Sequence, residues 1–363
     1  MLFLYKKRMM IKSKNSILQL ELLFNYQMLN FNRLNFFPLK NKLSSSEIPK
    51  LIQDYVIDYE ITDIFDIIDI SSIDYKKSNS ILFLKKNSIL KDINLEFLLI
   101  ITDNENHYKN IVFKNKILIS NHNKVYNYLL HKIFFNEDKL DFPDDFIIKE
   151  GSHISKFAKI DDSAVIQKNC VIGRGVEIGK NVLIKHNTVI KNSIISDNTI
   201  ICENCTIGST GFGFDLNKMG STHLAPQLGI VYIDENVFIG SNCTIDRGKI
   251  DFTYVGKNSM LDNLIHIAHN VILGPNACLA AQIGISGSVK IGKNLICGGQ
   301  TGFAGHINIG DNVKIAAKSG VTKNIKNNST IAGFPATDIK LWRQKIINER
   351  KNRYKQNTRS PSS

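Results

Sequence analysis

The hydrophobic pattern of this chain has a period of six. Val255, Leu261, Ile267, Leu273, Leu279, Ile285, Ile291, Cys297, Phe303, Ile309, Ile315 and Val321 each head a six-residue block, without a break. Six matches neither the 3.6-residue repeat of a helix nor the simple alternation of a strand. It predicts a left-handed parallel β-helix of hexapeptide repeats, in which stacked coils bury one continuous apolar column. Three hexapeptides close one triangular coil, so residues 18 apart should stand above one another. The same beat begins at Ile148 or Ile154 and runs through Ile160, Ile166, Ile172, Ile178, Ile184 and Ile190. It slips one place to Ile195, resumes at Ile201 and Ile207, and returns at Ile233, Ile239 and Ile245. Between them GSTGFGFDLNKMGSTHLAPQLG, residues 208–229, reads as an excursion loop thrown out of a coil, and DRGKIDFTY is a shorter irregularity.

Outside the beat the pattern changes. Residues 44–145 read as a small α/β domain. SSEIPKLIQDYV is a capped amphipathic helix, SILFLKK, FLLIITD and KILISN are short strands, and KVYNYLLHKIFF is a helix. FPDDF, at 142–146, is a Pro-containing junction to the β-helix, assigned to 148–333. A basic helix follows at 337–356, then a polar tail at 357–363. Residues 1–43 read as an extension outside the folded body.

Composition changes this picture little. The 363 residues are 43% hydrophobic and 22% charged, as expected of a globular chain with a sizeable core. The net charge of +13 favours acidic partners, but no Lys/Arg run is interleaved with aromatics as in a nucleic-acid module, so no nucleic-acid partner is expected. No run approaches the ~20 apolar residues that span a bilayer, so no transmembrane segment is expected. Cys202 and Cys205 form the one C-x-x-C, without a second pair to complete a zinc site. The six cysteines are read as reduced, small core residues. The first 20 residues carry Lys6, Lys7, Arg8, Lys12 and Lys14 and no acid, which admits organelle targeting, a basic arm or an upstream start-codon artefact.

Sorting the blocks by coil side locates the chemistry. One side reads VGKN, LGPN, IGKN, IGDN, a column of tight turns suited to Gly and Asn. Another reads LDNL, LAAQ, CGGQ, IAAK, and the third IAHN, ISGS, FAGH, VTKN. On the third, His269 and Gly287 occupy the same place in successive coils, and His306 lies two coils up and one place along. At ~4.8 Å per coil, Gly287 should adjoin His269 and His306 should be about 10 Å away. An imidazole titrates near neutrality and serves as a general base, and an unobstructed glycine N–H stabilises an oxyanion. That pair suits direct acyl transfer to an amine or hydroxyl rather than a covalent acyl-enzyme. Small side chains on two sides leave room for another chain or an elongated ligand. His266 and His269 form H-x-x-H but leave the prism in different directions, so no metal site is expected.

The run IDRG…LDNLIHIAHNVILG…ISGSVKIGKN…GGQTGFAGHINIGDNVKIAAKSGV, with GFGF before it and GFPA after it, resembles the UDP-3-O-acylglucosamine N-acyltransferases of lipid A biosynthesis. The resemblance is continuous from about 150 to 350 and weaker over 44–145. It implies transfer of an (R)-3-hydroxyacyl chain from acyl carrier protein to the 2-amino group of UDP-3-O-acylglucosamine, in the bacterial cytoplasm, by a homotrimer with its sites between adjacent prisms. It implies no cofactor. By it His269 is the base, Gly287 the oxyanion donor and His306 an assisting substrate contact. Asp262 and Asn263 line the cleft. Phe83 packs on the uridine, although Ile89 stands where the family usually has Tyr. The basic C-terminal helix, with Arg343 and Lys345, docks the acidic carrier protein. The competing readings are the UDP-N-acetylglucosamine O-acyltransferase of the same pathway, and a non-catalytic or carbonic-anhydrase-like β-helix.

Overall fold

The computed structural model describes residues 31–73, 76–84, 96–135, 142–216, 222–333 and 343–351. Among them the six-residue beat forms a three-sided parallel β-helix, with sheets of eight, nine and ten strands. Most strands are two residues long, the first facing outward and the second inward. On the ten-stranded face His266 pairs with Gly284, Gly284 with Gly302, and Gly302 with Gly320. The residues that follow them, Ile267, Ile285, Phe303 and Val321, are buried in the central column. Burying one such side chain contributes about 1.5–3 kcal/mol, so the column is the main support of the domain. The irregularities fall where the pattern places them. Ile178 pairs with Ile195, and Ile207 with Ile245, with the register shifting between Ile207 and Ser209 where the excursion loop leaves the coil.

Asparagine turns the corners. Asn258, Asn276, Asn294 and Asn312 have φ between 55° and 60°, in the left-handed region that Asn tolerates better than most residues. Their side-chain amides bond one to the next up the corner, from Asn236 through Asn258, Asn276, Asn294 and Asn312 to Asn328, at 2.7–3.2 Å. The asparagine richness of the chain thus has a structural use.

The solenoid begins at Ser152–Ser155. Phe146–Lys149 pairs with that strand antiparallel as the edge of the ten-stranded face, so Ile148 belongs to an exposed edge strand and the repeat proper starts with Ile154. Before it lies a five-stranded sheet in the order Val56–Glu60, Lys116–Ile119, Leu98–Thr102, Ser80–Leu84, Asp69–Ser71. Helix His122–Ile133 starts at an Asn121 cap that accepts from the Lys124 N–H. The Ser44/Glu47 capping box is present, but the helix after it stops at Leu51. A 3-10 turn at Gln53–Tyr55 continues the helical spacing, and at Val56 the chain enters the strand that pairs with Lys116–Ile119.

The extension expected outside the folded body is corrected in part. Arg33–Phe36 is a helical turn, and Phe36 and Phe37 are buried in a core shared with Phe83, Tyr126, Leu228, Ile230, Phe252 and Tyr254. These side chains come from the α/β unit and the β-helix together, and a cluster shared across a junction has no sequence period to reveal it. Arg33 closes the junction. It pairs with Asp69 at 2.6 Å and donates to the carbonyls of Ile70, Ile250 and Leu228. Lys77 completes the cluster, 2.9 Å from Asp69. Burial alone would push the Asp69 carboxyl up, but the charges and hydrogen bonds of Arg33 and Lys77 outweigh it and hold the group below its ordinary value.

Five cysteines are buried and unpaired, while Cys278 is exposed on the nine-stranded face beside Met260 and Ile296. Residues 343–351 are helical, with Arg343 and Lys345 exposed. The remainder of the expected C-terminal helix, and Ile89, lie outside the described residues. No helix among the described residues is long and apolar enough to cross a membrane.

Candidate active site

The corner that follows the ten-stranded face carries His269, Gly287 and His306. Ser288 N–H donates to the His269 carbonyl at 3.0 Å, and His306 N–H to the Gly287 carbonyl at 3.1 Å. The three residues therefore stand on one corner column of successive coils. The His269 ring is held between two glycine backbones. A Cβ added to Gly287 would lie 2.7 Å from both Cε1 and Nε2 of His269. A Cβ added to Gly211, in the excursion loop, would lie 2.8 Å from the His269 Cβ and 3.1 Å from Cδ2. The imidazole thus presents its Nε2 end to Gly287, whose N–H donates to no acceptor among the described residues. Gly287→Ala should displace the ring, because a real Cβ does not approach so closely. We expect a fall in kcat of about 100-fold with the fold intact, measured as initial rate alongside circular dichroism.

Asn270 decides which imidazole nitrogen is free. Its Oδ1 accepts the Lys249 N–H at 2.9 Å, which identifies that atom as the oxygen. The same oxygen lies 3.2 Å from His269 Nδ1, so in the neutral imidazole Nδ1 is the donor and Nε2 is left with the lone pair. Asn270 was not singled out from sequence, since its left-handed φ of 59° repeats the ordinary corner role of asparagine.

His266 projects from the flat face, not the corner. Its Nδ1 is 2.7 Å from Thr244 Oγ1 and its Nε2 is 3.7 Å from Asp246 Oδ2. Burial pushes the Asp246 carboxyl up, against the opposing pull of His266, His269 and Arg247. Among the described residues no group of three or more His, Cys, Asp or Glu side chains is placed to hold a metal ion.

The other expected site residues lie elsewhere within one chain. Asp262 and Asn263 turn the opposite edge of the ten-stranded face, before strand His266–Ile267. Asp262 Oδ1 accepts the Asn263 N–H at 2.7 Å, and Asn263 Oδ1 accepts the Ser241 N–H at 2.8 Å. Both are exposed, so the protomer does not bring them to His269. Phe83 is 8% exposed, and its ring packs edge-on against Tyr126 at 5.1 Å and His122 at 5.8 Å. In this chain it is a core aromatic, since a residue in the middle of a central strand is covered by the helix packed over it. His306 is exposed, with φ of 61°.

One signal in the chain marks the region. The left-handed corner position is asparagine at most of the coils, but Leu264, Gln282, Gln300 and Lys318 on one edge of the ten-stranded face, and Ser288 and His306 on the other, depart from it. Between them the outward positions are Gly284, Gly302 and Gly320, where an added Cβ would meet nothing within 4 Å. Glycine in a strand is costly, and no contact among the described residues requires it here. Departures of this kind concentrate at functional surfaces.

Similarity to known proteins bears on this geometry. UDP-3-O-acylglucosamine N-acyltransferase of Desulfotalea psychrophila is 48% identical over 141 residues, 39% of this chain and 41% of that one. The enzyme of the same name from Hydrogenovibrio crunogenus is 52% identical over 143 residues, again 39% and 41%. The chain is homologous to the UDP-3-O-acylglucosamine N-acyltransferases. The matched stretch spans about two fifths of the length of these relatives. A family model described as the GMPPB C-terminal domain matches residues 142–212. Among solved structures, a UDP-N-acetylglucosamine acyltransferase of Francisella novicida is 27% identical, covers 52% of this chain and 67% of its own, and superposes with a TM-score of 0.47.

Proposed function

We propose that this protein is an N-acyltransferase that moves a 3-hydroxyacyl chain from acyl carrier protein to the 2-amino group of UDP-3-O-acylglucosamine, in the bacterial cytoplasm. The observation that carries the proposal is the apposition of His269 Nε2, tautomer set by Asn270, to the unobstructed Gly287 backbone. The homologues named for that reaction supply the substrate class. In the proposed step the amine nitrogen attacks the thioester carbonyl, and Nε2 of His269 takes its proton. The Gly287 N–H steadies the carbonyl oxygen as it gains charge. The tetrahedral intermediate collapses, the C–S bond breaks, and the carrier thiolate takes the proton back from the imidazolium. Amide and free thiol leave, and the base is restored.

A homotrimer fits this reading. Pairing prisms at the glycine-lined face would bring the Asp262–Asn263 edge of one protomer to the His269 edge of the next, completing a site that one chain leaves split. The exposed Arg343 and Lys345 then serve the acidic carrier. Reversing both to Glu should raise KM for the carrier-linked donor roughly tenfold and leave KM for the UDP-sugar unchanged. An unaltered donor KM removes the docking role.

The direct test offers the purified protein acyl carrier thioester with either UDP-3-O-acylglucosamine or UDP-N-acetylglucosamine. An amide product from the first alone supports the proposal. An ester product from the second identifies the O-acyltransferase reaction instead, and no product from either leaves a non-catalytic β-helix.

A further inference from the structure

The excursion loop does more than interrupt the beat. Its first residues are clamped with unusual thoroughness. Gln227, 1% exposed, accepts the Gly211 N–H at 2.8 Å and donates to the Gly211 carbonyl at 2.9 Å. Arg247, fully buried, donates to the Gln227 carbonyl at 3.0 Å and to the Gly208 carbonyl at 3.1 Å. The next residue, Leu228, takes the Arg33 guanidinium, and the Tyr126 hydroxyl donates to the Pro226 carbonyl at 3.4 Å. The loop base is thus tied both to the α/β domain and, through Gly211, to the His269 ring. What this framework presents is Phe212, a large apolar ring left 84% exposed on the residue after Gly211, which itself lies against the proposed base. A mobile loop exposes such a ring incidentally. A loop held by two buried polar side chains holds it out at a set place, at the cost of its own burial.

We propose that Phe212 is a specificity-determining contact for the acyl chain already carried by the acceptor. This rests on the N-acyltransferase reading and deepens it. The reacting amine sits on the carbon next to the one bearing the 3-O-acyl group. With the nitrogen at His269 Nε2, that chain must begin one carbon–carbon bond away. The imidazole is flanked by Gly287 and Gly211, and a chain leaving Nε2 runs past one or the other. The Gly287 side leads toward His306 and the later coils. The Gly211 side leads to the junction with the α/β domain, where the nucleotide end of the acceptor is expected. The acceptor's acyl chain therefore departs on the Phe212 side, and an exposed ring there covers apolar surface that water would otherwise meet.

Steady-state kinetics of Phe212→Ala and Phe212→Leu test this, with the carrier-linked donor and two acceptors, one with a long 3-O-acyl chain and one with a 3-O-acetyl group. Phe212→Ala should raise KM for the long-chain acceptor roughly tenfold, leave donor KM unchanged, and leave the 3-O-acetyl acceptor unaffected. Leucine should restore most of the loss. A rise in donor KM, an equal loss with both acceptors, an unchanged long-chain KM, or an altered oligomeric state by light scattering each overturns the assignment. Failure of the unsubstituted protein to form amide from either acceptor is a different result, and it removes the N-acyltransferase reading itself.

Discussion

His269→Ala lowers N-acylation by about 100- to 10,000-fold while the protein stays folded. That is the range general-base catalysis supplies when its single proton acceptor is lost. The expectation follows from the ring's position. Its Nε2 faces Gly287, its Nδ1 is bonded by Asn270, and no second imidazole stands at the same place, because His306 lies on a higher coil and is exposed. The alanine side chain fits a half-buried corner, so stability should be nearly unchanged. Single-turnover measurement with carrier-linked donor separates the chemical step from binding: the rate falls and the donor's dissociation constant does not. Full activity in this variant would sink the mechanism, whatever the protein's pathway.

Arg33→Ala should be the most destabilising single change at the domain junction, by about 3 kcal/mol. Arg33 is 2% exposed, pairs with Asp69, and satisfies three carbonyls drawn from both domains. Its loss leaves the Asp69 carboxylate buried with the Lys77 ammonium and the Ile70 N–H as its partners among the described residues. The pH dependence has a definite sign. The folded-state pKa of Asp69 is depressed, so its contribution is present above the ordinary value of 3.8 and is lost as pH falls through the folded value. The deficit of Arg33→Ala relative to the parent should accordingly be complete at pH 7 and shrink on acidification below about pH 4. Urea unfolding at several pH values measures it, and a constant deficit across that range would show that packing rather than charge dominates. Because Arg33 also holds Leu228, next to the Gln227 clamp, the variant should lose affinity for the acceptor before it unfolds.

The β-helix was legible because its physics is local and periodic. Each coil repeats the same turn, so Ile267, Ile285 and Phe303 reveal the inward column and the residues before them the outward one. The same arithmetic brought His269, Gly287 and His306 to one corner. The α/β strands were legible for the same reason, as Ser80–Leu84 and Leu98–Thr102 are continuous apolar runs. The helix expected through Val56 is there only in pieces, an α turn at Ile48–Leu51 and a 3-10 turn at Gln53–Tyr55, and it ends where Val56 pairs with Ile119.

What sequence alone determined, then, is the solenoid, the corner that gathers His269, Gly287 and His306, and the kinship to the acyltransferases. Tertiary structure decided everything that depends on groups distant along the chain. It chose the His269 tautomer, through an Asn270 oxygen pinned by Lys249. It buried Phe83 behind Tyr126 and His122, and it drew Arg33 and Phe37 out of an apparent extension into a core. It also folded Gly211 back onto the His269 ring and left the next residue, Phe212, exposed. A repeat encodes its neighbours by period, whereas a junction or a loop clamp is encoded only by complementarity between surfaces that no spacing relates.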